Sequence, residues 1–526
     1  MSKNTFIRGA LILTIATFLS KFLGSVFRIP LQNIAGDDVL GIFSLVYPVY
    51  MTALILSVAG IPIAISKLIS EARAKGEDTE IRNIFNTAGI LAVIFGILSF
   101  SFLYGFSYQI AEILGGQETR SSLIVVSITL LIAPYMAVYR GFFQGYEDMK
   151  PTAYSQVIEQ FIRVALVIVA AYYFVSISAD NETIAAGTMA GSAIAALISL
   201  IFLRILFQKS KLKPGSNRPY TIEAFKKSSK HILKLSLPIC VGALTMALLN
   251  VVDSLTIPSA LKMAGNTAKE TFYLNGIYAR GTSLVQIATV FSTSIVLPLI
   301  PLITGKIAKN EMDQANRVIK RSFNLTHLFS WPAAVGIAAL TLPLNIALFT
   351  NDEGSLVVAI VSFSSVFTSL AVLGTGILQG INRPTAAAII IVAAAIGKVL
   401  LNFMLISQYG LIGAALATLI IYIVITVANA LVIKQTFKLP FVNRSILTYT
   451  IGSLIMGAVI GYPTLLLDLS GRLANLLYAG VAIIIGGALF AVFILLTKGM
   501  TVEELQSLPV IGKKLGRFGR VSKNNA

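Results

Sequence analysis

The chain alternates between long apolar runs and short polar breaks. Mostly apolar stretches cover residues 8–33, 39–66, 83–106, 121–144, 152–175, 183–206, 232–257, 272–303, 323–349, 355–379, 385–406, 410–433, 445–467 and 475–497. A helix needs about 20 such residues to cross a bilayer, so the pattern predicts an all-α integral membrane protein of about fourteen transmembrane helices. The first run follows Lys3 and Arg8, as a signal peptide's would. It continues past Lys21 to Gln32 with no small-x-small cleavage site, so it is read as the first span.

The polar breaks give the orientation. Outside the spans, Lys and Arg gather in alternate loops, and only Arg120, Lys262, Lys269 and Arg472 fall on the other side. The segment from Arg204 to Lys234 is the richest, and Lys513, Lys514, Arg517, Arg520 and Lys523 crowd the tail. Positive-inside bias then places both termini in the cytoplasm of a multi-pass plasma-membrane protein, with the tail on the anionic inner leaflet.

Composition agrees. Hydrophobic residues are 56% of the 526 positions and charged residues 12%, with mean hydropathy +0.83. A soluble chain carries roughly 25% charged residues, so lipid must solvate much of this one. The net charge of +18 lies in the cytoplasmic loops, which argues for membrane lipids as partners rather than nucleic acid. Cys240, the sole cysteine, excludes disulfides and multi-cysteine metal sites. No metal or organic cofactor is expected, and a monomer is the expected state.

The basic segment 208–230 divides the chain. Residues 1–207 are expected to form an N-lobe of helices 1–6, and 231–434 a C-lobe of helices 7–12. Helices 13–14 (435–497) and a basic tail (498–526) follow. The halves echo each other. Gln144-Gly145 precedes Pro151-Thr152-Ala153, and Gln379-Gly380 precedes Pro384-Thr385-Ala386. Each match runs into a span with a cation followed by valine, Arg163-Val164 and Lys398-Val399. Two six-helix lobes would share one orientation, related by a pseudo-twofold axis along the membrane normal, with the transport site between them. Gly187 with Gly191, and Gly457 with Gly461, have GxxxG spacing for close helix packing. Pro62, Pro298 and Pro301 are expected to kink helices 2 and 8.

Ionisable groups inside spans are expensive and call for a role. They are Lys21 and Arg28 on helix 1, Glu159 and Arg163 on helix 5, Asp253 on helix 7, Arg280 on helix 8 and Lys398 on helix 11. Lys21 and Arg28, seven apart, share one helix face; they line a cavity or snorkel to an interface. Glu159 and Arg163 have the spacing of a helical ion pair, structural or functional. Asp253 and Arg280 are candidates to pair across helices 7 and 8, or to couple ions. The surplus of cations suits an anionic head group such as a phosphate or pyrophosphate. His231 and His327 read as solvated or interfacial groups at cytoplasmic helix ends, and Trp331 as an interface anchor.

Several segments resemble the multidrug/oligosaccharidyl-lipid/polysaccharide exporter superfamily, in its polysaccharide-transport branch. They are Ser20-Lys21-Phe22-Leu23-Gly24 with Arg28, Gly60-Ile61-Pro62-Ile63-Ala64-Ile65-Ser66-Lys67, and Arg140-Gly141-Phe142-Phe143-Gln144-Gly145 with Pro151 to Gln160. Within the branch the chain is similar to the Gram-positive group of spore cortex protein B-like proteins and lipid II flippases. The resemblance implies a two-lobed, V-shaped fold working by alternating access. It implies flipping of an undecaprenyl-pyrophosphate-linked oligosaccharide, with Lys21, Arg28 and Arg280 as cavity cations; Arg163 and Lys398 are further candidates on their intramembrane charge alone. It also implies a groove for the lipid tail at helices 13 and 14. The basic cluster that some lipid II flippases carry at the end of helix 2 is reduced to Lys67.

Two other readings stand beside this one. An antiporter of the same fold, exporting a small organic solute or drug, would use Na⁺ or H⁺ at Glu159 or Asp253, drawing on an ion gradient or the membrane potential. A membrane glycosyltransferase would need a polar catalytic region, and the longest polar stretch, 208–230, lacks paired carboxylates. No GxxxxGK[ST] loop is present, which excludes an ATP-driven pump. The chain reads as a transporter, not an enzyme.

Overall fold

The computed structural model describes residues 3–58, 60–212, 219–437, 443–467, 469–497 and 499, and every regular element among them is helical. The basic tail expected on the inner leaflet lies outside the described residues, as do Lys213 and Arg218 of the basic segment. The helices are α1 (Lys3–Val26), α2 (Arg28–Val58), α3 (Ile61–Ala74), α4 (Asp78–Gly105), α5 (Ser107–Ile113), α6 (Arg120–Gly145), α7 (Lys150–Ser176), α8 (Asn181–Lys209) and α9 (Ile222–Met263). Then follow α10 (Ala268–Ala308), α11 (Met312–Ala339), α12 (Thr341–Phe349), α13 (Ser355–Phe363), α14 (Ser365–Gly380), α15 (Pro384–Tyr409), α16 (Leu411–Lys434), α17 (Arg444–Gly461) and α18 (Arg472–Leu496).

Ten helical stretches among the described residues are long and apolar enough to cross a membrane, or eleven if α11 and α12, bent by 76°, form one span. The expected fourteen is larger partly because residues 12–74 pass as one stretch where the apolar pattern gives two spans. The stretches 232–257 and 272–303 lie within α9 and α10. Large apolar side chains face outward in quantity, Ile484 at 74% exposure and Leu496 at 78% among them. Water would not tolerate such a surface, and hydrocarbon does. The protein is an all-helical, multi-pass membrane protein.

By internal contacts the chain forms two compact units: Met1–Val290 with Ala388–Ile421, and Phe291–Ala387 with Tyr422–Ala526. The first unit's core gathers on α2, where Leu40, Phe43, Val46 and Tyr50 pack with Leu123, Val126 and Leu130 of α6 and Val167 and Ala171 of α7. A second cluster joins α3, α4 and α6 through Ile65, Ile69, Leu91 and Phe142. The second unit packs Leu328 of α11 with Tyr449 and Met456 of α17 and Phe490 of α18.

Three local breaks shape the start of the chain. Phe27 interrupts the helix, so α2 begins at Arg28. Gly36, at φ 81°, breaks α2 internally, a conformation that costs glycine little. Gly60, at φ 91°, separates α2 from α3, and its missing side chain leaves room for the carbonyl of Ser236. Pro62 therefore stands in the first turn of a new helix, where its absent N–H is no loss, rather than kinking a continuous one. Pro298 and Pro301 lie within the helical range of α10.

Both GxxxG pairs are packing faces. Gly187 and Gly191 receive Phe174 and the Arg163–Val167 backbone of α7, while Gly457 and Gly461 receive Val335 and Ala339 of α11. The two matched sequence turns also fold alike. At the end of α6, Glu147 N donates to Gln144 O at 2.9 Å and Asp148 N to Phe143 O at 3.0 Å. At the end of α14, Asn382 N donates to Gln379 O at 3.3 Å and Arg383 N to Leu378 O at 2.8 Å. Glu147 and Asn382 share φ 62°, the left-handed residue of this capping motif. Gly145 packs on Ile69, and Gly380 on Ile303. Loop ends are capped locally: hydrogen bonds from the Thr183 hydroxyl and backbone N–H hold the Asp180 carboxyl, at the start of α8, below the usual carboxylate range.

Candidate functional site: a cationic cavity in the first unit

The break at Phe27 sets Lys21 near the end of α1 and Arg28 at the start of α2, and both side chains line one cavity of about 490 Å³. Arg28 is buried, its guanidinium 5.9 Å from the Tyr47 ring centre, and its Nε has no hydrogen-bond partner. Neither Lys21 nor Arg28 meets a carboxylate among the described residues. Ser44, Tyr47 and Met51 continue this wall along α2. The facing wall comes from α9 and α10 and mixes the polar Asn250, Ser254, Asn275, Thr282 and Gln286 and the acidic Asp253 with the apolar Ala243, Ala247, Ile257 and Ala279.

The other intramembrane charges are matched. Glu159 accepts from Arg163 at 2.7 Å and from Arg140 at 2.8 Å, and Arg140 Nε also donates to Ser155 Oγ at 3.0 Å. Lys398 Nζ donates to Asp253 Oδ2 at 2.6 Å. Asn402 Nδ2 holds the other carboxylate oxygen at 3.1 Å, and the Tyr278 hydroxyl lies 3.3 Å from Oδ2. Arg280 clasps Asp37 through Nε, 2.8 Å from Oδ1, and through Nη2 on Oδ2. Gln32 Nε2 adds a bond to Asp37 at 3.1 Å.

Residues 6–305 match the family described as polysaccharide biosynthesis protein. The membrane protein YabM of Bacillus subtilis (strain 168) is 34% identical over 98% of this chain and 97% of its own length. The chain belongs to the polysaccharide biosynthesis protein family. The lipid II flippase MurJ of the same organism is 28% identical, covering 99% of each chain. An inward-facing multidrug resistance MATE family transporter of the MOP superfamily aligns with TM-score 0.64 at 14% identity, over 79% of this chain and 95% of that one. The chain thus shares the fold of that transporter.

Within this polysaccharide biosynthesis family member the sequence-derived candidates separate into two groups. Lys21 and Arg28 meet in the cavity. Arg163, Arg280 and Lys398 do not line it; each is held by a carboxylate, and Arg280 and Lys398 are buried. Glu159 pairs with Arg163 as the spacing suggests. Asp253 and Arg280, read as a cross-helix pair, have different partners, because residues 34–38 are not an exposed loop. Asp37 follows the Gly36 break directly and is 6% exposed, which puts an unforeseen carboxylate opposite Arg280. Arg140, which lies within the apolar stretch 121–144 but is not among the intramembrane candidates, reaches Glu159 from α6. Gly36-Asp37-Asp38 was the available signal, since an acid beside glycine marks a helix start. Nothing in the sequence marked Asn402 or Tyr278. Among the described residues no group of three His, Cys, Asp or Glu side chains could hold a metal.

Proposed function

We propose that this protein is a flippase that carries an undecaprenyl-pyrophosphate-linked oligosaccharide, a lipid II-like precursor or polysaccharide unit, across the plasma membrane by alternating access. The observation that carries the reading is the pair Lys21 and Arg28. Among the described residues they are the two intramembrane candidate cations without a carboxylate partner, and both line the same cavity. A buried guanidinium with an unpaired Nε is costly unless an anion reaches it, and a pyrophosphate supplies oxygens in that geometry. The amides and hydroxyls of the facing wall suit sugar hydroxyls. Kinship with MurJ along the full chain supports the same substrate class. In this reading the termini are cytoplasmic, as the basic loops suggest, the cargo loads from the inner leaflet, and a transporter of this kind needs no catalytic group.

Complementation of a lipid II flippase depletion strain tests the reading. The wild-type chain should restore growth, while Lys21→Ala and Arg28→Ala, expressed to the same level, should not. Growth with both variants, or no growth with wild type, would sink it.

A second reading rests on Asp253, whose carboxylate lines the cavity: an antiporter of a small organic solute driven by Na⁺ or H⁺. Glu159, clamped by two arginines, is the poorer coupling group. Gradient-driven uptake into proteoliposomes, lost in Asp253→Asn, would favour this reading.

A further inference from the structure

The second unit has a pocket of its own, about 190 Å³, that the transport reading leaves unused. Lys320, Asn324 and His327 stand along one stripe of α11, four and three residues apart, and all line it. Phe323 of α11 with Phe367 and Leu370 of α14 gives it an apolar side. Asn443, which caps α17 by accepting from Ile446 N at 2.7 Å, also donates to Asn324 Oδ1 at 3.1 Å and fixes the pocket's rim. The Trp331 indole N–H donates to His327 Nδ1 at 3.0 Å. That bond makes Nδ1 an acceptor, so the neutral ring carries its proton on Nε2, and no described protein group accepts it. Lys320 has no carboxylate partner among the described residues, and no acidic side chain lines the pocket.

We propose that this pocket binds a small amphiphilic anion, a phosphate ester on a short apolar or aromatic body, at a site distinct from the cargo cavity. The ammonium of Lys320 and the Nε2–H of His327 supply charge and a directed donor for the phosphate oxygens. The two phenylalanines and Leu370 receive the body. The volume lies below the 300 Å³ or so at which drug-sized pockets begin, which limits the occupant to a small group. A soluble phosphate ester and the phosphomonoester head of a membrane lipid share this chemistry.

Trp331 is the chain's one tryptophan, so its emission reports on His327 directly. The experiment titrates the purified full-length protein in detergent with phenyl phosphate and follows that emission. A saturable change is expected. Lys320→Ala should weaken the midpoint about ten-fold or more, as loss of a charge-assisted contact does, while Lys320→Arg keeps it. Arg28→Ala should leave the titration unchanged, separating this site from the proposed cargo cavity. A parallel titration uses nanodiscs with and without phosphatidic acid. If phosphatidic acid alters the emission and blocks phenyl phosphate, the lipid is the occupant; if only phenyl phosphate acts, a soluble ester is. No saturable change with either probe, or an equal response in a folded Lys320→Ala protein, overturns the proposal.

Discussion

Arg280 of α10 and Asp37 of α2 form a two-pronged ion pair, and neither side chain lines the cavity. Their side chains are 0% and 5% exposed. Removing one partner strands a buried charge, which destabilises a protein by roughly 3–5 kcal/mol. Arg280→Ala and Asp37→Ala are therefore each expected to lower the melting temperature in detergent sharply. The double variant Asp37→Leu/Arg280→Met should recover much of the loss, because it leaves no buried charge and costs only the Gln32 amide its bond to Asp37. Thermal melts followed by size-exclusion chromatography check this, and a double variant no better than the singles would contradict it.

The α2–α10 crossing beside that pair depends on glycine. A Cβ on Gly41 would strike the carbonyl of Phe272, and one on Gly276 the carbonyl of Asp37. Backbone atoms cannot swing aside, so Gly41→Ala and Gly276→Ala should both reduce the folded yield and the melting temperature. Gly480 of α18 has nothing within 4 Å of its Cβ position, and Gly480→Ala should be neutral or stabilising by about 0.5–1 kcal/mol through helix propensity. Equal melting temperatures for Gly276→Ala and Gly480→Ala would refute the close-approach argument.

The apolar runs made the helical membrane fold legible, because their length admits few other structures. Lys21 and Arg28 were legible as cations in an apolar run, but the shared helix face read from their seven-residue interval was not the reason they meet: Phe27 breaks the helix between them, and the two still line one cavity from α1 and α2. The matching of charges was not legible. Asp37 lies in the five-residue break 34–38 that reads as an external loop, whereas α2 runs through it around the Gly36 break and buries Asp37. Lys398 meets Asp253 across 145 residues of sequence, a distance that periodicity cannot bridge. Sequence pattern reports what a helix exposes, and partner choice depends on which helices meet.

Lys398 and Asp253 give a contrasting prediction. Lys398 is 1% exposed and Asp253 14%, its carboxylate lining the cavity. Lys398→Met should leave Asp253 held only by the Asn402 amide and the Tyr278 hydroxyl, lowering stability. Asp253→Asn added to it should restore stability, since the amide needs no counter-charge. If the antiporter reading holds, the restored double variant stays inactive in gradient-driven uptake. If Asp253 only neutralises Lys398, the double variant transports as wild type does. Melting temperature and uptake measured on the same three proteins separate the two.

Arg28 stands apart from the other buried cations in its stability as well as its location. Arg163, Arg280 and Lys398 are each stabilised by a carboxylate, so their loss should weaken the fold. Arg28 has an aromatic ring and an unpaired Nε, so the folded state carries a desolvated charge with little return. Arg28→Ala should therefore melt at or above the wild-type temperature while losing affinity for the cargo. A lost charge-assisted contact of about 1.5–3 kcal/mol corresponds to a roughly 10- to 150-fold weaker Kd for undecaprenyl pyrophosphate. Arg28→Lys should retain part of that affinity, since it keeps the charge and loses the planar fork. Stability against function in one residue is what a binding group predicts and a structural one does not. An Arg28→Ala protein that melts well below wild type, or binds undecaprenyl pyrophosphate as tightly, would place Arg28 with the structural pairs instead.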